Sequence, residues 1–282
     1  MPQSRAEIFC KAGFNYTGTM GPQRVEVDVL NGRQFSNPGW RQCGFELMNH
    51  RSLVTDWNDD QQIQDLHYDE ISVFARELTG CKYAIVGGHI SRNPEQAGIH
   101  HDLGPISLVH SDFTETYGDR MLRFYSEQDP STDNASSTDN NPHIGLKKAG
   151  ITAADVSAAK RMLILQFWRN VGPAKMDMPL AFCDATTVPR EDLRSFPVNN
   201  YAGGGFDFDA FSITAPRGHS HDWYVFPEMN IDEVVVFRTF DSQCVDRGET
   251  FWTPHSAFRD PSVKEGEPSR YSIELRATCL FY

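Results

Sequence analysis

Five strand-like runs occupy the second half of the chain: LILQFW, PLAFCD, HDWYVFP, DEVVVFRTFD and RYSIELRATCLFY. Each is rich in β-branched or aromatic residues, and Gly, Pro and Asp part them. Strands in this number leave edges that must be covered, and a double sheet closed on itself covers them. No repeat and no linker divides the sequence. The expected fold is therefore mainly β with flanking helices, a double-stranded β-helix (jelly roll, cupin-like) formed as a single domain over residues 1–282.

The first half is more mixed. VEVDVLNGR (25–33) alternates and then meets Asn31-Gly32, which reads as a hairpin turn. GFELMNH reads as a short strand, and KYAIVGG as a strand ended by its glycines. Over 60–79, Ile63, Leu66, Ile71, Phe74 and Leu78 recur at helical intervals, with Asp59-Asp60 as cap and Gly80 as stop. TAADVSAAKRM reads as a short helix with Thr152 at its N-cap. Residues 127–143 form a polar, low-complexity run, expected to be a flexible surface insertion, with a lid over the site as the alternative.

Composition narrows the classes. The 282 residues include 19 Phe, 39% of them are hydrophobic, and the net charge is −12. A large core is available, and the acidic balance argues against nucleic acid or an anionic membrane as partner. No run approaches the ~20 apolar residues of a membrane span. The N-terminus lacks the apolar centre of a signal peptide, and none of the six cysteines forms CxxC. A cytoplasmic protein with reduced thiols and a small-molecule substrate is expected; oligomeric state is left open.

The chemistry concentrates in GPISLVHSDFTE (104–115). On a strand, Ile106, Leu108, His110 and Asp112 share one face, which begins apolar and ends in an imidazole and a carboxylate. Such a pair offers two ligands to one metal. His255, in FWTPHSAFRD after a long strand, is the candidate for the third. Two imidazoles and one carboxylate are the facial set of non-haem iron(II) oxygenases. Downstream, Arg270 and Ser272 share a strand face suited to a carboxylate, such as the distal carboxylate of 2-oxoglutarate. Arg276 on the same face is the alternative anchor, or a partner for Glu274.

Competing sets are present. His100-His101-Asp102 repeats the His-x-Asp pattern but precedes the turn Leu103-Gly104-Pro105. His219-Ser220-His221, with Glu228, resembles a cupin ligand set, and His221 alternatively touches substrate. Gln166 and Trp168 share a face suited to a pocket wall. A GxSxG elbow is absent, and Gly203-Gly204-Gly205 lacks the Lys-Ser/Thr of a phosphate loop. Two other functions fit these residues: a metal-dependent cupin enzyme without 2-oxoglutarate, or a non-catalytic β-barrel binding a small molecule.

With these blocks in hand, the chain resembles the AsaB/CmcJ-type hydroxylase/desaturase family, iron(II)- and 2-oxoglutarate-dependent oxygenases of secondary metabolism. The carrying segments are GFELMNH, LHYDEISVFARELTG, GPISLVHSDFTE, FWRNVGP, MPLAFCDATTVPREDL, HDWYVFPEMNIDEVVVFRTFDS and PHSAFRDP with PSRYSIELRA. The resemblance implies a non-haem iron dioxygenase of natural product biosynthesis, using Fe(II), 2-oxoglutarate and dioxygen. It implies iron on His110, Asp112 and His255, with the co-substrate on Arg270 and perhaps Ser272. It also draws attention to Trp168, Arg169 and Asp184. Two positions depart from the family pattern: Gln166 stands where Asn is usual, and Asn170 where Pro often follows Trp-Arg.

Overall fold

The computed structural model describes residues 6–19, 21–36, 38–127, 142–203, 206–264 and 268–282. The stretch 128–141, most of the expected insertion, lies outside them. One sheet has five strands: β3 (Phe45–Asn49), β4 (Tyr83–Arg92), β6 (Arg161–Asn170), β11 (Glu233–Asp241) and β13 (Ser272–Phe281), ordered β3-β11-β6-β13-β4. The other has eight: β1 (Ile8–Gly18), β2 (Gly21–Asn31), β5 (His110–Ser111), β7 (Leu180–Cys183), β8 (Leu193–Val198), β9 (Phe208–Ile213), β10 (Trp223–Val225) and β12 (His255–Ala257). Their order is β1-β2-β10-β7-β12-β5-β9-β8. The two sheets face each other as a jelly roll.

Alternation explains the layering. On β6, Leu163, Leu165 and Phe167 point outward, and on β13 so do Ile273, Leu275, Ala277 and Cys279. They pack with Ile71 and Ala75 of the helix Tyr68–Thr79, which covers this sheet. The opposite faces, with Gln166 and Trp168 on β6 and Ser272, Glu274 and Arg276 on β13, look into the jelly roll. Arg276 pairs with Gln166 across the two strands, and Glu274 with Trp168. The central stretch of β6, LILQFW, is apolar but for Gln166 because both faces of the strand are covered.

The helix caps fall where the sequence places them. Asp59 accepts from Gln61 and Gln62 N–H, Thr152 and Asp155 form a capping box, and Gly80 ends its helix with φ +73°. The helix is not one run, however: a π-turn over Ile63–His67 interrupts it.

Three expectations fail locally. Asn31-Gly32 makes no hairpin: the Asn31 side chain takes the Arg33 N–H at 3.0 Å and opens a 3-10 turn. Gly32 is needed for space, since a Cβ there would come within 2.7 Å of the Phe226 ring. The hairpin is instead β1–β2, which turns between Gly18 and Gly21. Second, the glycines of KYAIVGG do not end β4, which continues to Arg92. They form a bulge: the register slips between Leu275↔His89 and Ala277↔Val86, with Gly88 at φ +68°. Third, the strand expected before His110 is reduced to His110–Ser111, although a bridge between Asn15 and Leu108 extends the alignment.

Candidate active site

β5 and β12 are adjacent, and their register sets His255 directly opposite His110. The two rings lie 4.3 Å apart between centroids. Asp112 follows two residues after His110 and turns the same way. Its Oδ1 lies 3.8 Å from His110 Nε2 and 3.5 Å from His255 Nε2. All three side chains are buried.

Hydrogen bonding fixes what each ring offers. His110 Nδ1 faces the Leu108 carbonyl at 2.7 Å, and His255 Nδ1 faces the Thr253 carbonyl at 2.9 Å. A carbonyl only accepts, so both protons sit on Nδ1 and both Nε2 lone pairs point at the space beside Asp112. Burial, followed by the nearby His255 ring, lowers the His110 pKa to about 4, so the ring is neutral at physiological pH. Burial works against ionisation of Asp112, but the Arg276 guanidinium and His255 outweigh it and hold the carboxyl far below its usual range. Two imidazoles oriented through Nδ1 and one anionic carboxylate form a donor set that fits a divalent metal.

This cluster opens onto a cavity of about 300 Å³. Ile106, Leu108, His110 and Asp112 all line it, so the shared face read from the sequence is present even where regular strand is not. The opposite wall carries Arg92, Gln166, Glu274 and Arg276 from the five-stranded sheet, and Arg270 from the segment just before β13. The remaining wall, Phe196, Val198, Tyr201, Phe208 and Ala210, is mostly apolar, with His101 and Asp102 at its side.

The arginines have separate tasks. Arg276 reaches Asp112 Oδ2 at 3.3 Å, and Glu274 pairs with Arg92 at 2.7 Å, so the Arg276–Glu274 pair considered above does not form. Arg92 also binds the Asp102 and Gly104 carbonyls and the Tyr201 hydroxyl. Arg270 is buried; its Nε donates to Ser272 Oγ at 2.9 Å, and its other contact is the Met178 carbonyl. Among the described residues no carboxylate forms an ion pair with it. Burial, and then the charge of Arg92, lower its pKa to about 9. A buried guanidinium without an ion-pair partner is costly even with the Glu274 and Asp177 carboxylates nearby, and an anion in the cavity relieves that cost. Gln166 likewise keeps its buried side-chain oxygen without a partner.

The structure does not bring every candidate to this cavity. Trp168 lies behind Arg270, with the guanidinium carbon 5.6 Å from its ring centre, and lines a different cavity. Arg169 points to the other side of β6, as alternation demands, where it binds His50 and the Ile231 carbonyl and faces Trp57. His221 is held by Asp192 and Tyr16 and is not in the lining. Asp184 caps a short turn through Thr186 N–H. Sequence reasoning misses Arg92, because Gly87-Gly88 reads as the end of a strand, whereas the pair forms a bulge within β4.

Comparison with known proteins follows the same lines. The family model described as "Oxidoreductase/YMDC permease-like domain" matches residues 11–138 and 131–280. Among the described residues no helix is long and apolar enough to cross a membrane. The chain is 30% identical over 303 residues to the hydroxylase/desaturase poxK of Penicillium oxalicum, covering 96% of this chain and 83% of that protein. It is 26% identical over 264 residues to the alpha-ketoglutarate-dependent dioxygenase phiK of a fungal species (strain ATCC 74256), covering 91% and 83%. The fold is similar to that of the iron and alpha-ketoglutarate-dependent endoperoxidase NvfI, with a TM-score of 0.72 at 16% identity over 97% of this chain and 98% of that one.

Proposed function

Because the chain belongs to the hydroxylase/desaturase family, an oxidoreductase family by its model, we propose that its cavity binds iron(II) through His110, Asp112 and His255 and binds 2-oxoglutarate through Arg270. The protein is an iron(II)- and 2-oxoglutarate-dependent oxygenase acting on a small molecule of secondary metabolism. Iron held there would supply oxidation of a substrate C–H bond by dioxygen, coupled to conversion of 2-oxoglutarate into succinate and carbon dioxide.

The chain's own residues do the rest by placement. The Leu108 and Thr253 carbonyls hold the two imidazoles in the ligating tautomer. Arg276 keeps one oxygen of Asp112 engaged and leaves the other toward the histidines. Arg270, steadied by Ser272, is matched to the distal carboxylate of the co-substrate. Gln166, opposite Arg276, offers an acceptor for a donor group on the substrate. Phe237, 4.9 Å from the His255 ring, excludes water behind the ligands. The apolar wall from β8 and β9 receives a largely hydrocarbon substrate, while His101 and Asp102 can read a polar group on it.

The observation that carries this reading is the convergence of three ligand atoms and the Arg270 guanidinium on a single cavity. Anaerobic titration of 2-oxoglutarate into the iron(II)-loaded protein tests it. A weak visible charge-transfer band should grow in, be absent from His255→Ala, and need roughly 10- to 100-fold more 2-oxoglutarate in Arg270→Ala, the loss of one charged hydrogen-bonding anchor. A band of unchanged strength in His255→Ala removes that residue from the metal.

A further inference from the structure

A second cluster stands apart from the cavity. Asp192 lies in the short turn just before β8, and His219 and His221 lie in the loop between β9 and β10. His219 Nε2 is 2.7 Å and His221 Nε2 is 2.9 Å from the same oxygen, Asp192 Oδ2. The two donor types, and their number, repeat the primary set.

The outer ring nitrogens are again engaged. His219 Nδ1 faces the Arg217 carbonyl at 3.2 Å, so that nitrogen carries a proton. With Nδ1 protonated, a neutral His219 would aim its Nε2 lone pair at a carboxylate oxygen. Either a second proton or a cation must reconcile the two. His221 Nδ1 lies 3.3 Å from the Tyr16 hydroxyl, which takes the Trp223 indole N–H at 2.8 Å. A phenol oxygen accepts more than one hydrogen bond, so Tyr16 can fix His221 as a carbonyl fixes His219. Asp192 and His221 are buried, whereas His219 is about one-third exposed at 34%, which leaves an entry path.

We propose that Asp192, His219 and His221 form a second divalent metal site, of the class that takes zinc through imidazole and carboxylate, separate from the catalytic triad. Three protein ligands leave room for water in the coordination shell. A cation there ties the β9–β10 loop to the base of β8. Those strands carry Phe196, Val198, Phe208 and Ala210, so the ion stiffens the apolar wall of the active-site cavity without touching substrate.

The test uses the full chain stripped with a chelator, with zinc(II) alone as the probe. In His255→Ala, which disables the primary triad, about one equivalent of zinc should survive dialysis, and the thermal midpoint should rise by several degrees on addition of zinc. In His255→Ala/His219→Ala both the retained equivalent and the shift should vanish. His219 is partly exposed, so its removal leaves no large core void, and far-UV circular dichroism of the metal-free variants checks the fold. Zinc retention and a midpoint shift undiminished in the double variant, or no retained zinc in His255→Ala, overturn the proposal; in the second case a proton, not a metal, joins His219 to Asp192.

Discussion

His110 and His255 meet because two very short strands are neighbours, and Asp112 joins them because it follows at the next same-face position. That part of the site was legible: alternation alone put Ile106, Leu108, His110 and Asp112 on one wall. Arg276 extends it. Its hydrogen bond to Asp112 makes it an outer support of the proposed ligand set, and on that proposal Arg276→Gln should weaken iron(II) binding by roughly 10- to 100-fold, as losses of such supports do. Competition with a chromogenic chelator measures this. What was illegible at this scale was any pairing that depends on sheet order. Nothing in the sequence links Asp192 to His219 and His221, or Arg276 to Asp112 rather than to Glu274, because strand neighbours are chosen by global packing.

Strands and helices carry two further predictions. Arg92 of β4 and Glu274 of β13 form a buried ion pair that also gathers Tyr201 and the 102–104 backbone. Burial opposes the charge on Glu274, but Arg92 and Arg276 overcome it and lower its pKa. Glu274→Ala leaves the buried Arg92 guanidinium without its ion-pair partner and should cost about 3–5 kcal/mol, read from urea unfolding. The glycines that hid Arg92 from sequence reasoning are the bulge opposite Arg276; a glycine pair in a strand resembles a stop because the same torsional freedom serves both. The helix side has its own titrating pair. Burial holds His67 neutral down to about 4 against an ordinary 6.5, despite Glu70 at 2.9 Å. Burial alone would raise Glu70, but bonds from His67, Ser52 and the Leu53 N–H win and lower it to about 2 from 4.5. As pH falls from about 6.5 to 4 the unfolded chain protonates its histidine first, so stability drops. Below 4.5 the Glu70 contribution is lost in the same direction. Thermal midpoints should decline steadily with acid, and His67→Gln should flatten the limb between 6.5 and 4.

Both sheets contribute to one cavity: the metal candidates lie on or next to strands of the eight-stranded sheet, and the candidate anion-binding arginines on or next to strands of the five-stranded one. Neither sheet retains a complete site without the other. We therefore propose that the chain behaves as one cooperative unit, and unfolding followed by circular dichroism and by tryptophan fluorescence should give coincident transitions. The fold class was legible from the run of strands, since so many edges admit few closures; the strand order was not. That order has a cost during synthesis. Arg92 and Glu274, on neighbouring strands, are 182 residues apart in the chain. A ribosome that has released β4 must make most of the protein before the partner of that strand exists. Until then an apolar edge waits unpaired, and it can recruit the same edge of another copy. Slow growth at low temperature, or added chaperone, should therefore raise the yield of recombinant protein far more than any substitution near the metal.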